Sequence, residues 1–373
     1  MFNRVISPNK LILIINKGAC KNTDINLKPN LIESKRNNMH YDVFNGDADG
    51  IIALLQLRLN EPKESVLITG VKRDIKLVSQ VVSKLAEQGE QGEVSSITVL
   101  DVSMEKNLPA IHSLLDANID VFYCDHHRTG DIPQSKFLKT LVNTAPECCT
   151  SLLINQKLKG EYVAWAIAAA FGDNLKTVAT QLAVESGFDR SQTEFLEELG
   201  TLVNYNSYGS SLNDLHFTPI KLYQALYQYP NPFSLLDDKG SVFYRLRAAY
   251  QSDNQHLSNL GPIYESEVAR VFELPSETWA RRISGVFGNE IVNQDPGRAQ
   301  AVLTKNQDGE SYTVSLRAPL SNRTGADEIC SSFETGGGRK AAAGINQLTE
   351  ESKVNFISLI ERYYSPLGKC IDS

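Results

Sequence analysis

The chain has 373 residues, enough for two domains at the usual ~100–200 residues each. Hydrophobic residues make up 42% and charged residues 22%, which excludes wholesale disorder and fibrous repeats. A formal net charge of -7 and a pI near 5.5 exclude a broadly basic surface, so any nucleic acid must be met by a local positive pocket. A small nucleotide suits that better than a long duplex.

The longest purely aliphatic run, Leu11 to Ile15, falls far short of the ~20 apolar residues of a membrane span. The six cysteines form no C-x-x-C pair and are too few for a disulfide scaffold in a chain this long, so a reducing, cytoplasmic setting is expected.

Residues 1–38 are basic, rich in Asn and without hydrophobic period, and they lack the apolar stretch of a signal peptide. A loosely ordered extension is expected there. From Tyr41 the pattern is strand, acidic turn, helix. Tyr41 to Phe44 reads as a strand, Asn45-Gly46-Asp47-Ala48-Asp49-Gly50 as a turn, and Ile51 to Leu59 as an apolar helix opened by carboxylates. A helix around Ile75 to Glu87 follows, then an apolar strand Ile97 to Leu100 ending at Asp101. Another strand, Ile119 to Cys124, ends at Asp125-His126-His127. Short apolar strands alternating with helices predict a mainly parallel α/β sheet. Ligands of such sheets sit beyond the carboxyl ends of the strands, where these acidic and histidine residues fall.

The apolar helix Tyr162 to Phe171 leads to Gly172-Asp173, and residues from about Ser191 to Leu260 read as helical and tyrosine-rich. Beyond about Ser284 the pattern changes to hairpins. Gln300 to Lys305 and Ser311 to Ala318 flank the turn Gln307-Asp308-Gly309, and helices follow at Ala326 to Phe333 and Glu350 to Tyr364. The expected division is a first domain over 39–255, a linker region over 256–284 and a smaller mixed α/β domain over 285–373.

Asp47 and Asp49, two apart on a glycine-bounded turn, can point toward one hard cation or toward two; turn and helix-cap roles explain them as well. Asp101 has a helix-cap reading too. Asp125-His126-His127 is harder to assign to packing, because imidazole plus carboxylate is a common donor set for Mn(II), Fe(II) or Zn(II). Asp173 by position is a cap. Gly336-Gly337-Gly338-Arg339-Lys340 reads as a loop that brings backbone N–H groups to an anion, or as a flexible turn before a strand.

The ordered set N-G-D-A-D-G, Asp101, D-H-H, G-D at 172–173 and G-G-G-R-K-A-A-A-G resembles the DHH phosphoesterase superfamily with its associated C-terminal domain. That group includes RecJ-like exonucleases, short-oligoribonucleotide nucleases and pAp phosphatases, and the resemblance covers about residues 39 to 365. It implies a catalytic metal-binding domain over 39–255, a substrate-binding domain over 285–373 and a site in the cleft between them. It also implies two divalent cations, usually Mn(II), with Asp47 on one, Asp49, His126 and Asp173 on the other, and Asp101 bridging. His127 would help hold the phosphate, so Asp101 and His127 are the expected catalytic residues. Substrate contacts are expected from Asn45, His127, Arg128, Arg317, Gly336, Gly337, Gly338 and Arg339.

Two departures stand out. Val43 occupies a position where many members carry a histidine, with Asn45 where the RecJ-like branch tends to have an aspartate, and Arg339 replaces the histidine of the C-terminal glycine motif. The expected function is a Mn(II)-dependent phosphodiesterase that cleaves very short linear RNA, including dinucleotides such as pGpG, to 5′-mononucleotides. Neither a membrane nor stable binding of long duplexes is expected, and a homodimer is left open. Alternatives are a pAp phosphatase, a cyclic-dinucleotide phosphodiesterase or a nucleotide-binding module without catalysis. A domain related to the editing domain of alanyl-tRNA synthetases would account for the glycine motif alone.

Overall fold

The computed structural model describes residues 39–88 and 94–365, so the extension expected over 1–38 lies outside the described residues. In chain order the first domain opens with β1 (Met39–Phe44), α1 (Ala48–Asn60), β2 (Val66–Ile68), α2 (Leu77–Gln88) and β3 (Val94–Leu100). It continues with α3 (Leu108–Asp116), β4 (Asp120–Asp125) and β5 (Leu138–Val142). These strands form one sheet in the order β2-β1-β3-β4-β5, with every pairing parallel. The alternating faces of the strands bury two different cores. Tyr41, Val43 and Val99 pack against α2 and α3, while Phe44, Leu100 and Cys124 face α1 and the helices beyond β5.

Those helices are α4 (Thr150–Lys157), α5 (Val163–Gly172), α6 (Lys176–Glu185), α7 (Arg190–Tyr205), α8 (Pro219–Leu226) and α9 (Val242–Asn254). Helix α5 is apolar on every side and buried from Trp165 to Gly172, as a helix enclosed by others must be.

The second domain contains β6 (Tyr264–Glu265), β7 (Ala269–Leu274), α10 (Thr278–Gln294), β8 (Ala299–Lys305), β9 (Ser311–Arg317), α11 (Ala326–Ser331), β10 (Gly336–Gly338), β11 (Ala342–Thr349) and α12 (Lys353–Tyr364). Its sheet runs β10-β11-β9-β8-β7-β6, antiparallel except for β7 with β8. Residues 256–284, expected as a linker region, hold β6, β7 and the start of α10. Their short apolar run Val271, Phe272, Leu274 is buried within the second domain's sheet and cores. The glycine run expected as a loop is the edge strand β10. The expected two-domain α/β architecture is otherwise present. Among the described residues, no helix is long and apolar enough to cross a membrane.

Candidate metal centre

The strand order places a switch point between β1 and β3, whose following connections leave in opposite directions and open a crevice at the carboxyl edge. Asp47 and Asp49 follow β1, Asp101 follows β3, and His126 and His127 follow β4. All but His127 are almost wholly buried.

The helix-cap readings of Asp47 and Asp49 hold in the structure. Asp47 is the N-cap of α1, its Oδ1 accepting from the backbone N–H of Asp49 at 3.0 Å and Gly50 at 3.1 Å. Gly46 before it lies so close to the Gly70 carbonyl that a Cβ would stand 1.9 Å from that oxygen. The Asp49 carboxylate reaches the N-terminus of α4, accepting from Thr150 N at 2.7 Å and Ser151 N at 2.6 Å. Each Asp49 oxygen keeps a second lone pair, so capping and metal ligation are compatible there, whereas Asp47 Oδ1 has both lone pairs engaged.

Asp101 sits in left-handed backbone with φ of 58°, a conformation that costs a residue with a Cβ roughly 1–3 kcal/mol and clusters at functional sites. Burial, together with the carboxylates of Asp47, Asp49, Asp125 and Asp173, pushes its pKa well above the usual range.

His126 Nδ1 lies 2.7 Å from the Cys148 carbonyl, which can only accept, so Nδ1 carries the proton and Nε2 presents its lone pair. Burial, and then Arg339 and His127, lower the His126 pKa. Its Nε2 lies 3.7 Å from Asp49 Oδ2, 3.3 Å from Asp101 Oδ1 and 3.9 Å from Asp173 Oδ2. His127 Nδ1 is held by Asp125 Oδ1 at 2.7 Å and lies 3.7 Å from Asp101. Asp125 thus orients His127.

Sequence reasoning missed two cationic contacts. Lys72, in the connection after β2, donates its ammonium to Asp47 Oδ2 and, at 3.2 Å, to Asn204 Oδ1. Burial alone would raise the Asp47 pKa, but Lys72 holds it below the ordinary value. Arg339, expected to meet substrate phosphate, instead donates to both oxygens of Asp173 at 2.9 and 3.0 Å, and its Nη1 lies over the His126 ring, 3.2 Å from Nδ1 and 3.1 Å from Nε2. Burial would lift Asp173, yet Arg339 and His126 hold it well below the carboxylate range. A basic pair following the short apolar run Val66–Ile68 was the only local signal for Lys72.

The other expected contacts lie as follows. Asn45 Oδ1 accepts from Asp47 N at 3.2 Å, and its Nδ2 donates to the Lys72 carbonyl at 3.3 Å, so its side chain braces the two loops. Arg128 pairs with Asp327 of the second domain. Arg317 is not brought to the cluster: its guanidinium donates to Asn289 Oδ1, Ser315 Oγ and the carbonyls of Leu316 and Gly285, tying α10 to β9. Gly336 and Gly338 serve packing. A Cβ on Gly336 would stand 1.7 Å from the Cys330 carbonyl oxygen, and Gly338, at φ of 146°, would place one 2.5 Å from Ala343 Cα. Gly337 has open space around its missing Cβ. The β10–β11 hairpin turn carries Arg339 into the cleft.

Asp49, Asp101 and Asp173 lie around the His126 Nε2. Among the described residues, Asp101, His126 and His127 are the group whose ligand atoms lie within 4.8 Å of one another. The set Asp49, Asp101, His126 and Asp173 would hold one divalent cation. It combines a bare imidazole nitrogen with three carboxylates, and Arg339 already places positive charge at that convergence. The position expected at Asp47 differs. Val43 is apolar and buried, the Asn45 amide is engaged within the loops, and Lys72 occupies Asp47 Oδ2.

No family model matches the chain, and no curated protein matches it. Solved structures do match. Exonuclease RecJ bound to manganese superposes over 89% of this chain and 91% of its own, with a TM-score of 0.54 at 16% identity. The chain has the fold of RecJ. RecJ from Thermus thermophilus, in complex with Mn2+, matches at a TM-score of 0.52 and 17% identity over 88% of this chain, which spans 52% of that protein's length. A looser likeness, at a TM-score of 0.46 and 13% identity, relates 86% of the chain to 98% of a pGpG-specific phosphodiesterase, PggH, from a Vibrio species. The RecJ fold agrees with the DHH resemblance carried by the motifs.

Proposed function

We propose that the protein is a divalent-metal-dependent phosphoesterase of the DHH type that hydrolyses very short linear oligoribonucleotides, down to dinucleotides such as pGpG, to 5′-mononucleotides. The observation that carries this reading is the convergence of Asp49, Asp101 and Asp173 on the bare Nε2 of His126 within 3.9 Å, facing a second domain. RecJ, whose fold the chain shares, binds manganese, and a carboxylate–imidazole set suits Mn(II). Asp49, Asp101, His126 and Asp173 would hold the cation. When bound it activates water and offsets charge on the phosphorus in flight.

The chain's own residues supply the rest. His127, oriented by Asp125, would donate Nε2–H to a phosphate oxygen in its imidazolium form, with Nδ1–H on Asp125. Arg339, a planar two-pronged donor at the cleft, would suit the paired oxygens of a phosphate. The acidic net charge and the ties across the cleft, Arg128 to Asp327 and Arg339 to Asp173, favour a short substrate over a long duplex.

The test is product analysis on 5′-phosphorylated RNAs of two to seven nucleotides beside pAp and a cyclic dinucleotide, with metal-free protein given Mn(II). The dinucleotide should disappear fastest and yield only mononucleotides. Asp101→Asn should cut turnover by on the order of a thousand-fold, the equivalent of about 4 kcal/mol. Because it removes a carboxylate repelled by its neighbours, the same variant should melt no lower than the parent in EDTA. Full activity of Asp101→Asn, or nucleotide binding without any cleavage, would overturn the reading.

A further inference from the structure

The expected partner position of the metal centre is already filled from within the fold. Lys72 reaches it from the connection after β2, and both ends of the residue are fixed. Its backbone N–H donates to the Ser207 carbonyl at 3.0 Å, and its carbonyl accepts from Asn45 Nδ2 at 3.3 Å. The ammonium bonds Asp47 Oδ2 and the buried Asn204 Oδ1, with the Tyr208 ring centroid 5.4 Å away. Tyr208 in turn lies against Gly285 of α10, where any Cβ would stand 1.9 Å from the ring. Lys72, its side chain 24% exposed, is therefore held by α7 and the segment after it, which in turn packs on the second domain.

The two cations in the cleft differ in what would remain if each withdrew. Withdrawal of Arg339 leaves Asp49, Asp101 and Asp173, each with a carboxylate oxygen within 3.9 Å of His126 Nε2. Withdrawal of Lys72 leaves Asp47, the shared Asp101 and one amide oxygen, Asn204 Oδ1, because Val43 has no donor atom and Asn45 is engaged with Asp47 N and the Lys72 carbonyl. Two carboxylates, one of them shared, and a single amide oxygen, with no imidazole among them, are a poorer site for a cation that takes about six donors. An ammonium held by a carboxylate and an amide oxygen, by contrast, has two of its three donors used.

We infer that Lys72 stands in place of a second metal: the centre binds a single divalent cation, and the Lys72 ammonium is the fixed positive charge on the Asp47 side of the substrate phosphate. This rests on the phosphoesterase reading above for the identity of the first site, and it deepens that reading by replacing the expected two-cation centre with one cation and one lysine.

Counting metal on the full chain tests it. Metal-free protein titrated with Mn(II) should take up one equivalent, by calorimetry and elemental analysis, and show the six-line spectrum of an isolated Mn(II) ion. Lys72→Met, close in shape but uncharged, should still bind one equivalent while hydrolysis falls about a hundred-fold, the usual loss on removing one preorganised charge-stabilising group. Lys72→Arg should recover part of that loss. Two equivalents with an exchange-coupled spectrum in the parent protein would overturn the inference and leave the phosphoesterase reading standing. So would full activity of Lys72→Met. No bound Mn(II) at all would remove the metal-based reading itself.

Discussion

At the other end of β1 from the metal centre, His40, Asp42 and Arg58 form a buried network with Ser65, Ser96 and Thr98. Arg58 donates Nε to Asp42 Oδ2 at 2.9 Å and Nη2 to Oδ1 at 2.5 Å, while His40 Nδ1 meets Ser96 Oγ at 2.8 Å and Ser65 Oγ donates to Asp42 at 2.6 Å. Burial would raise the Asp42 pKa, but hydrogen bonds from Arg58 and His40 and the Arg58 charge bring it down to about 2 against an ordinary 3.8. With the folded value below the unfolded one, ionised Asp42 stabilises the fold above pH 4, and that contribution drains away as pH falls toward 2. It amounts to on the order of 2 kcal/mol. The unfolding free energies of the parent and Asp42→Asn, measured in urea, should therefore differ most near pH 6 and converge by about that amount near pH 2.5. A difference independent of pH would mean that Asp42 is not charged in the fold.

Short elements do the positioning around the centre. The N-termini of α1 and α4 each fix a carboxylate through backbone N–H groups, which holds Asp47 and Asp49 in place without long side chains. The β10–β11 hairpin does the same for Arg339, and it depends on Gly338, whose φ of 146° and 2.5 Å approach to Ala343 Cα leave no place for a side chain. Gly338→Ala should cost about 2 kcal/mol of stability through backbone strain. It should also lower hydrolysis by shifting Arg339, while Mn(II) uptake stays at the parent level because none of the four proposed ligands lies on the hairpin. Loss of Mn(II) binding in that variant would place the hairpin inside the metal site.

The two domains are joined by charge as well as by apolar contact. Arg281 grips Asp214 with two bonds of 2.9 Å, and Arg282 grips Asp253 at 2.8 and 2.9 Å while donating to the Asp214 carbonyl at 3.0 Å. Tyr205 also donates to Asp253, and its ring packs in the same cluster as Phe272 and Ile283 of the second domain. Removing one partner of a nearly buried pair leaves the other charge unpaired. Arg282→Met should cost about 3 kcal/mol in urea unfolding, and pairing it with Asp253→Asn should restore part of the loss. Strict additivity of the two substitutions would show that the pair does not couple.

Much of the fold is legible in sequence order. Period and strand-end polarity locate β1, β3 and β4, and with them Asp47, Asp49, Asp101, His126 and His127 at one edge. Strand β2 has three residues, and β7 with its neighbours reads as linker, because a short apolar run carries no period of its own until a partner strand pairs with it. The glycine run reads as a loop for the same reason. Its three residues become a strand only through pairing with β11.

The class of the fold and the donor atoms follow from residue order alone, since strands end where polar residues interrupt apolar runs and donor chemistry belongs to residue type. How those donors are compensated does not. Lys72 lies 25 positions from Asp47, and Arg339 lies 166 from Asp173. Contacts across such separations arise from packing of whole elements, with no local pattern to announce them. It is packing that sets Lys72 beside Asp47, and Arg339 on Asp173.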